Sequence, residues 1–204
     1  KITKIILIIQ NKAPVDTNNR FTIIRSPYTI FSTSEALDKL KQLYENSTTL
    51  KNMGFSACIG NITWNQHKSC LTTDESKTLL VYSSDIKNNK LEIQKYRNDK
   101  KKNYINKSGT SDPVLVINRG YGNGKYKLNY AIINENDDKE YLVENHLICI
   151  KYNLEFNKDE LVALYKKIIH SFTKEKTREF IQLYFNNNAI NVAELCNILP
   201  IYDI

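Results

Sequence analysis

The sequence predicts an α+β fold, a mixed, mainly antiparallel β-sheet core with a helix ahead of it and a helical cluster behind it. Three observations lead there. Between residues 55 and 152 the chain is a succession of short β-like runs separated by polar loops, with no long helical period. From Asn157 onward the apolar residues recur at helical spacing instead. Strands and helices are therefore segregated rather than alternating, which argues against a doubly wound parallel sheet.

Taken in order, the opening stretch predicts strands over 2–10 and 20–25 with a polar turn between them. Ser32-Thr33-Ser34-Glu35 reads as a capping box in which Ser32 caps a helix and Glu35 is its third residue. Leu37, Leu40, Leu43 and Tyr44 then mark one helical face that runs to about Asn46. Strands are expected over 55–63, 78–82, 91–96, 113–119, 126–134 and 147–152. Asn157 caps a helix with Leu161, Leu164, Tyr165, Ile168 and Phe172 on one side, and a second begins near Thr173 with Phe180, Ile181 and Tyr184. A third starts at Asn191, with Glu194 three residues on, and stops before Pro200. No repeat or low-complexity linker interrupts the chain. The 204 residues, 41% of them hydrophobic, are expected to form a single domain: a lead-in over 1–50, a β-rich part over 51–152 and a helical part over 153–204.

The apolar run over 5–9 is too short to span a bilayer and is followed by Gln10-Asn11-Lys12, so it reads as a strand rather than a signal peptide. No membrane partner is expected. The first residue is Lys1 rather than Met, which suggests a piece cut from a longer polypeptide or a disordered start. Cys58, Cys70, Cys149 and Cys196 show no paired CxxC spacing and share no metal-type spacing with His67, His146 or His170. They read as reduced residues of a cytoplasmic protein, with no metal site.

A net charge of +7 and a pI near 9.1 favour an anionic partner, although an AT-rich gene, which enriches Lys, Asn and Ile, gives the same bias. Position says more. Lys95, Arg97, Lys100, Lys101, Lys102 and Lys107 cluster beside Tyr96 and Tyr104, a mixture suited to a phosphate backbone or, more plainly, to a solvated loop. Three of the six glycines, Gly120, Gly122 and Gly124, alternate with Arg119, Tyr121, Asn123 and Lys125 just after the apolar run over 113–117, and Tyr126 follows. A nucleotide-binding glycine loop opens a helix; here a second β-like run follows, so a hairpin with a basic tip is expected. In such a tip, guanidinium forks, amides and aromatic faces suit phosphates and base edges. A second polar loop, Asn65-Gln66-His67-Lys68, follows the only tryptophan, Trp64. Asn and Gln pair bidentately with adenine and Lys reaches guanine or phosphate, whereas Trp64 itself reads as a core anchor.

Catalytic signatures are missing. There is no GxxxxGK[ST] loop, no GxSxG elbow and no Asn/Asp-Pro-Pro-aromatic loop. Asp85, Glu92 and Lys95 faintly suggest a nuclease metal site, yet Glu92 and Lys95 would point to opposite faces of a strand. Glu144-Asn145-His146 offers a base with an orienting partner, but a structural histidine is the commoner reading.

Five segments, in order, resemble one family: residues 55–68, 78–86, 118–123, 141–148 and 194–202. They are similar to the C-terminal target-recognition (specificity) domain of TaqI-like adenine-N6 DNA methyltransferases and of the restriction-modification enzymes fused to them. The resemblance covers roughly 50–204 and gives residues 1–50 no role. It implies sequence-specific recognition of double-stranded DNA, with the methyl donor S-adenosylmethionine bound by a separate catalytic domain, linked or associated. The chain itself is expected to hold no cofactor and no catalytic residue. DNA contacts are expected from Asn65, Gln66, His67, Lys68, Lys95, Lys100, Lys101, Lys102, Arg119, Tyr121, Asn123, Lys125 and Tyr126. Two alternatives stay open: a restriction endonuclease domain with scattered metal ligands, and a protein-interaction module.

Overall fold

The structure, a computed structural model, describes residues 21–96, 100–120, 126–185 and 189–204. Strands β1 (Thr22–Arg25) and β2 (Tyr28–Phe31) form an antiparallel hairpin ahead of helix α1 (Ser34–Tyr44). Strands β3 (Ser47–Thr48), β4 (Phe55–Ile59), β5 (Leu71–Thr72), β6 (Thr78–Val81), β7 (Ile86–Lys87), β8 (Lys90–Leu91) and β9 (Tyr104–Ile105) follow. Next come β10 (Val114–Asn118), β11 (Tyr130–Ile133), β12 (Tyr141–Val143) and β13 (Leu147–Tyr152). The helices α2 (Lys158–Thr173), α3 (Glu175–Tyr184) and α4 (Val192–Asn197) precede a short β14 (Ile201–Tyr202).

The fold is α+β and mainly antiparallel, as the segregation of runs predicts. One four-stranded sheet has the order β11-β10-β13-β4, and a second has the order β12-β6-β9-β5, in which β12 and β6 run parallel. The run Val114–Asn118 shows why its apolar residues do not alternate with polar ones. Leu115 and Ile117 pack with Ile148, Ile150 and the helices, alongside Leu37, Tyr165, Phe180 and Leu195. Val114 and Val116 face the other way, into a cluster with Val81, Tyr141 and Val143 of the second sheet. A strand covered on both faces needs apolar side chains at every position. A third cluster, Ile62, Leu80, Tyr82 and Ile105, occupies the far side of the second sheet. The layers are thus helices, sheet, sheet.

The helices match their periodicity. Leu37, Leu40, Leu43 and Tyr44 are the buried face of α1, and Asn191 and Glu194 form the capping box of α4. The cap of α1 is Thr33 rather than Ser32: Thr33 Oγ1 accepts from Ala36 N, and Thr33 O already accepts from Leu37 N. The expected strand over 91–96 is also corrected. Only Lys90–Leu91 forms a strand: Glu92 N still donates to the Asp85 main-chain carbonyl, but Gln94 N turns inward to the Asp85 carboxylate. The expected strand over 126–134 begins only at Tyr130, and residues 28–31 form a strand the sequence reading missed. The predicted strand over 2–10 lies outside the described residues. Among the described residues no helix is long and apolar enough to cross a membrane.

Candidate nucleic-acid interface

Strand directions bring four loops to one end of the two sheets. The chain leaves β4, β6, β10 and β12 at that end and enters β13 there, since Asn118 pairs with Leu147 and Val143 with Val81. Backbone hydrogen bonds tie the loops together. Gly60 N donates to Leu147 O at 2.9 Å, Ile62 N to Val143 O at 3.1 Å, and Asn145 N to Ile62 O at 2.9 Å. Glu144 N donates to Val81 O at 3.0 Å and Arg119 N to His146 O at 3.3 Å. The turn over 144–146 is therefore the hub, with the Trp64 loop on one side and Arg119 on the other.

Gly60 makes that packing possible. A Cβ there would lie 2.6 Å from Val143 O and closer still to Glu144 O, both backbone atoms. Glu144 is 2% exposed, and its carboxylate folds back on its own turn: Oε2 accepts from His146 N at 3.0 Å and Oε1 pairs with His146 Nδ1. The carboxylate thus fixes the ring of a half-exposed histidine at the centre of the loop cluster. Among the described residues, the side-chain oxygens of Asn118 and Asn145 are shielded here without a hydrogen-bond donor. An unsatisfied buried acceptor costs about 1–3 kcal/mol, so both amides are poised to gain from a partner.

Beside the hub stands a caged charge. Asp85 is fully buried; Oδ2 accepts from Tyr82 N at 2.8 Å, and Oδ1 accepts from Gln94 N at 2.9 Å and from Tyr96 OH at 2.8 Å. Burial pushes its carboxyl above the usual carboxylate range, against those hydrogen bonds and Lys101. The Lys101 ammonium lies 4.0 Å from the centre of the Tyr82 ring and 4.1 Å from that of Tyr96, with Ser84 Oγ at 3.4 Å. Burial pulls the Lys101 amine down, while Asp85 and Glu144 pull it up. Tyr82 OH donates to Lys102 O at 2.7 Å, which holds the lysine-rich segment against the second sheet.

The structure brings most of the predicted residues to this end. Asn65, Gln66 and Lys68 are exposed on two short 3-10 turns, Trp64–Gln66 and Lys68–Cys70, and His67 between them is half-buried. Trp64 packs half-buried against the Ile62, Leu80 and Tyr82 cluster, with Lys68 Nζ 5.9 Å from its ring. Lys95 and Lys100 are exposed and Lys102 half-buried next to the cage. Arg119 is half-buried; its guanidinium lies 3.5 Å from Asn145 O rather than on Glu144, whose carboxylate is taken by His146.

Two expectations change. Tyr126 is a core residue, 7% exposed, its hydroxyl donating to Asn118 O at 2.8 Å and its ring against Phe185. It braces the base of the loop and faces no groove. Lys101 is half-buried between two rings rather than free to track phosphates. Tyr121, Asn123 and Lys125 lie outside the described residues. Sequence reasoning weighed Asp85 only as a metal ligand, set Tyr96 in the basic run facing phosphates rather than against Asp85, and gave Tyr82 and Ser84 no individual role. The available signal was Asp85 three residues after Tyr82, the spacing at which a carboxylate accepts from the backbone N–H that opens a turn.

The opposite end differs in charge. An open groove of about 1120 Å³ is lined there by Glu75, Glu135, Asp137 and Glu140 beside Lys77, Lys107 and Lys139. With that contrast the basic loop end stands out as the candidate interface. No model of a known protein family matches the chain, and no curated protein matches it significantly.

Proposed function

We propose that this chain binds double-stranded DNA sequence-selectively through the loop end built around residues 144–146, as the target-recognition part of an adenine-N6 DNA methyltransferase or a fused restriction enzyme. Methyl transfer from S-adenosylmethionine would belong to a linked or associated catalytic domain. The observation that supports this most is the gathering at one end of Asn65, Gln66, Lys68, Arg119 and His146, which lie far apart in sequence. Amide and guanidinium groups carried on adjacent rigid loops are what base-edge and phosphate recognition requires. The buried carboxylates of that end are turned inward: Glu144 pairs with the His146 ring and accepts from its backbone, and Asp85 accepts from three donors beside the Lys101 ammonium. The lysines Lys68, Lys95 and Lys100 are exposed beside them. Asp85 has both oxygens committed to donors, which weighs against the cleavage reading that enlisted it as a metal ligand.

A titration of fluorescent duplex DNA with the chain at rising salt tests the proposal. Affinity is expected to fall linearly on a logarithmic plot, with a slope of about −0.9 for each phosphate contacted. No binding at low ionic strength, or a flat response to salt, would refute it.

A further inference from the structure

Cys58 and Cys149 face each other directly across the β4–β13 ladder. The bond from Gly60 N to Leu147 O marks the 60/147 pair as hydrogen-bonded. Alternation along an antiparallel ladder puts 58/149 in the same class, where opposed Cα atoms are about 5.5 Å apart. A disulfide spans Cα atoms at roughly 4.4–6.8 Å, most often near that separation. Opposed residues also project to the same face. Here it is the face between the two sheets, where Cys149 is buried with Val114, Val116 and Val143. Cys58 sits on the edge strand of its sheet and is exposed. Both thiols line a cavity of about 120 Å³, with Asn61, Thr110 and Lys151.

The two sulfurs are also chemically unequal. The adjacent Cys149 thiol, with Lys151 and against burial, draws the Cys58 thiol below its usual range. The neighbouring Cys58 and burial push the Cys149 thiol up. One sulfur is thus exposed on the edge strand and the readier to ionise, and the other is shielded on the strand beside it.

We propose that Cys58 and Cys149 form a redox-active dithiol that a hydroperoxide closes into a cross-strand disulfide, with Cys58 reacting first and Cys149 resolving. The Cys58 thiolate attacks the peroxide, the O–O bond breaks, and the departing alkoxide or hydroxide takes a proton from water. Cys58 becomes a sulfenic acid. The Cys149 sulfur then attacks the Cys58 sulfur; the S–O bond breaks and the hydroxyl leaves with the Cys149 proton as water. In sum, two thiols and one hydroperoxide give a disulfide, an alcohol (water, for hydrogen peroxide) and water. The bond would fasten the edge strand two residues ahead of Gly60, where the chain enters the Trp64 loop. A consequence for DNA affinity rests on the proposed function; the dithiol does not.

The test is to treat the folded chain with hydrogen peroxide, alkylate the remaining thiols, digest and map by mass. The expected product joins the Cys58 and Cys149 peptides, separates on reduction with dithiothreitol, and leaves Cys70 and Cys196 alkylated. In Cys149→Ser the sulfenic acid should persist on Cys58 and be trapped by dimedone. Circular dichroism on the same samples confirms that the chain stays folded, and the wild-type map needs no variant. Cys58 and Cys149 both remaining alkylatable, or Cys58 joining Cys70, Cys196 or a second chain, would overturn the proposal. Comparing duplex affinity of the oxidised and reduced chains then reads the coupling: a mapped disulfide with unchanged affinity rejects the coupling alone.

Discussion

Replacing Asp85 with alanine is expected to destabilise the protein by about 3–5 kcal/mol, the scale for removing one member of a buried, charge-assisted set. The loss is large because the partners stay behind. Tyr82 N, Gln94 N and Tyr96 OH would point into a void, and the Lys101 ammonium, already stripped of part of its water, would lose its nearest counter-charge. Asp85→Asn should cost less, since it keeps the volume and one acceptor. Denaturant unfolding of the three proteins measures this; equal stability of wild type and Asp85→Ala would show that the cage contributes nothing. The pH dependence adds a sign. Burial raises the Asp85 carboxyl in the fold above its ordinary 3.8, so between that value and the raised one the native state holds the extra proton. Stability from this group therefore falls as pH rises through that window, and the advantage of wild type over Asp85→Asn should shrink as it does.

Gly60→Ala is expected to lose about 1–3 kcal/mol of stability, the range for forcing a methyl group into packed surroundings. The clash is with backbone, Val143 O and Glu144 O, so no side-chain rotation relieves it. The turn over 144–146 would have to shift, taking with it the bond from Arg119 N to His146 O and the Glu144–His146 pair. Duplex affinity should therefore fall more than stability alone explains. Thermal melting and binding measured on the same variant separate the two, and an affinity loss that vanishes once the unfolded fraction is subtracted would deny Gly60 a part in shaping the interface.

Much of the fold was legible because periodicity reports burial directly. The continuous apolar run over 113–117 and the spacing of Leu37, Leu40, Leu43 and Tyr44 each have one physical explanation, and the structure supplies it. The misreadings have a common cause, groups satisfied by distant partners. Residues 91–96 look like a strand by composition, yet Gln94 N is drawn to the Asp85 carboxylate, a side chain whose burial no local pattern announces. Tyr126 reads as a loop aromatic until Asn118 O and Phe185 are brought to it. Composition could nominate Asn65 to Lys68 and Arg119 separately. Their convergence depends on antiparallel pairing of β4 with β13 and β10 with β13, information that lies in register rather than in residue type.

The central claim is that the loop end built around residues 144–146 binds duplex DNA. Amide hydrogen exchange of the whole chain, with and without a saturating duplex at low salt, tests it most directly. Slowed exchange is expected over 61–70, 119–120 and 144–147, with the groove over 75–79 and 134–140 unchanged. Protection confined to that groove, or none at all while the duplex is demonstrably bound, would contradict the account.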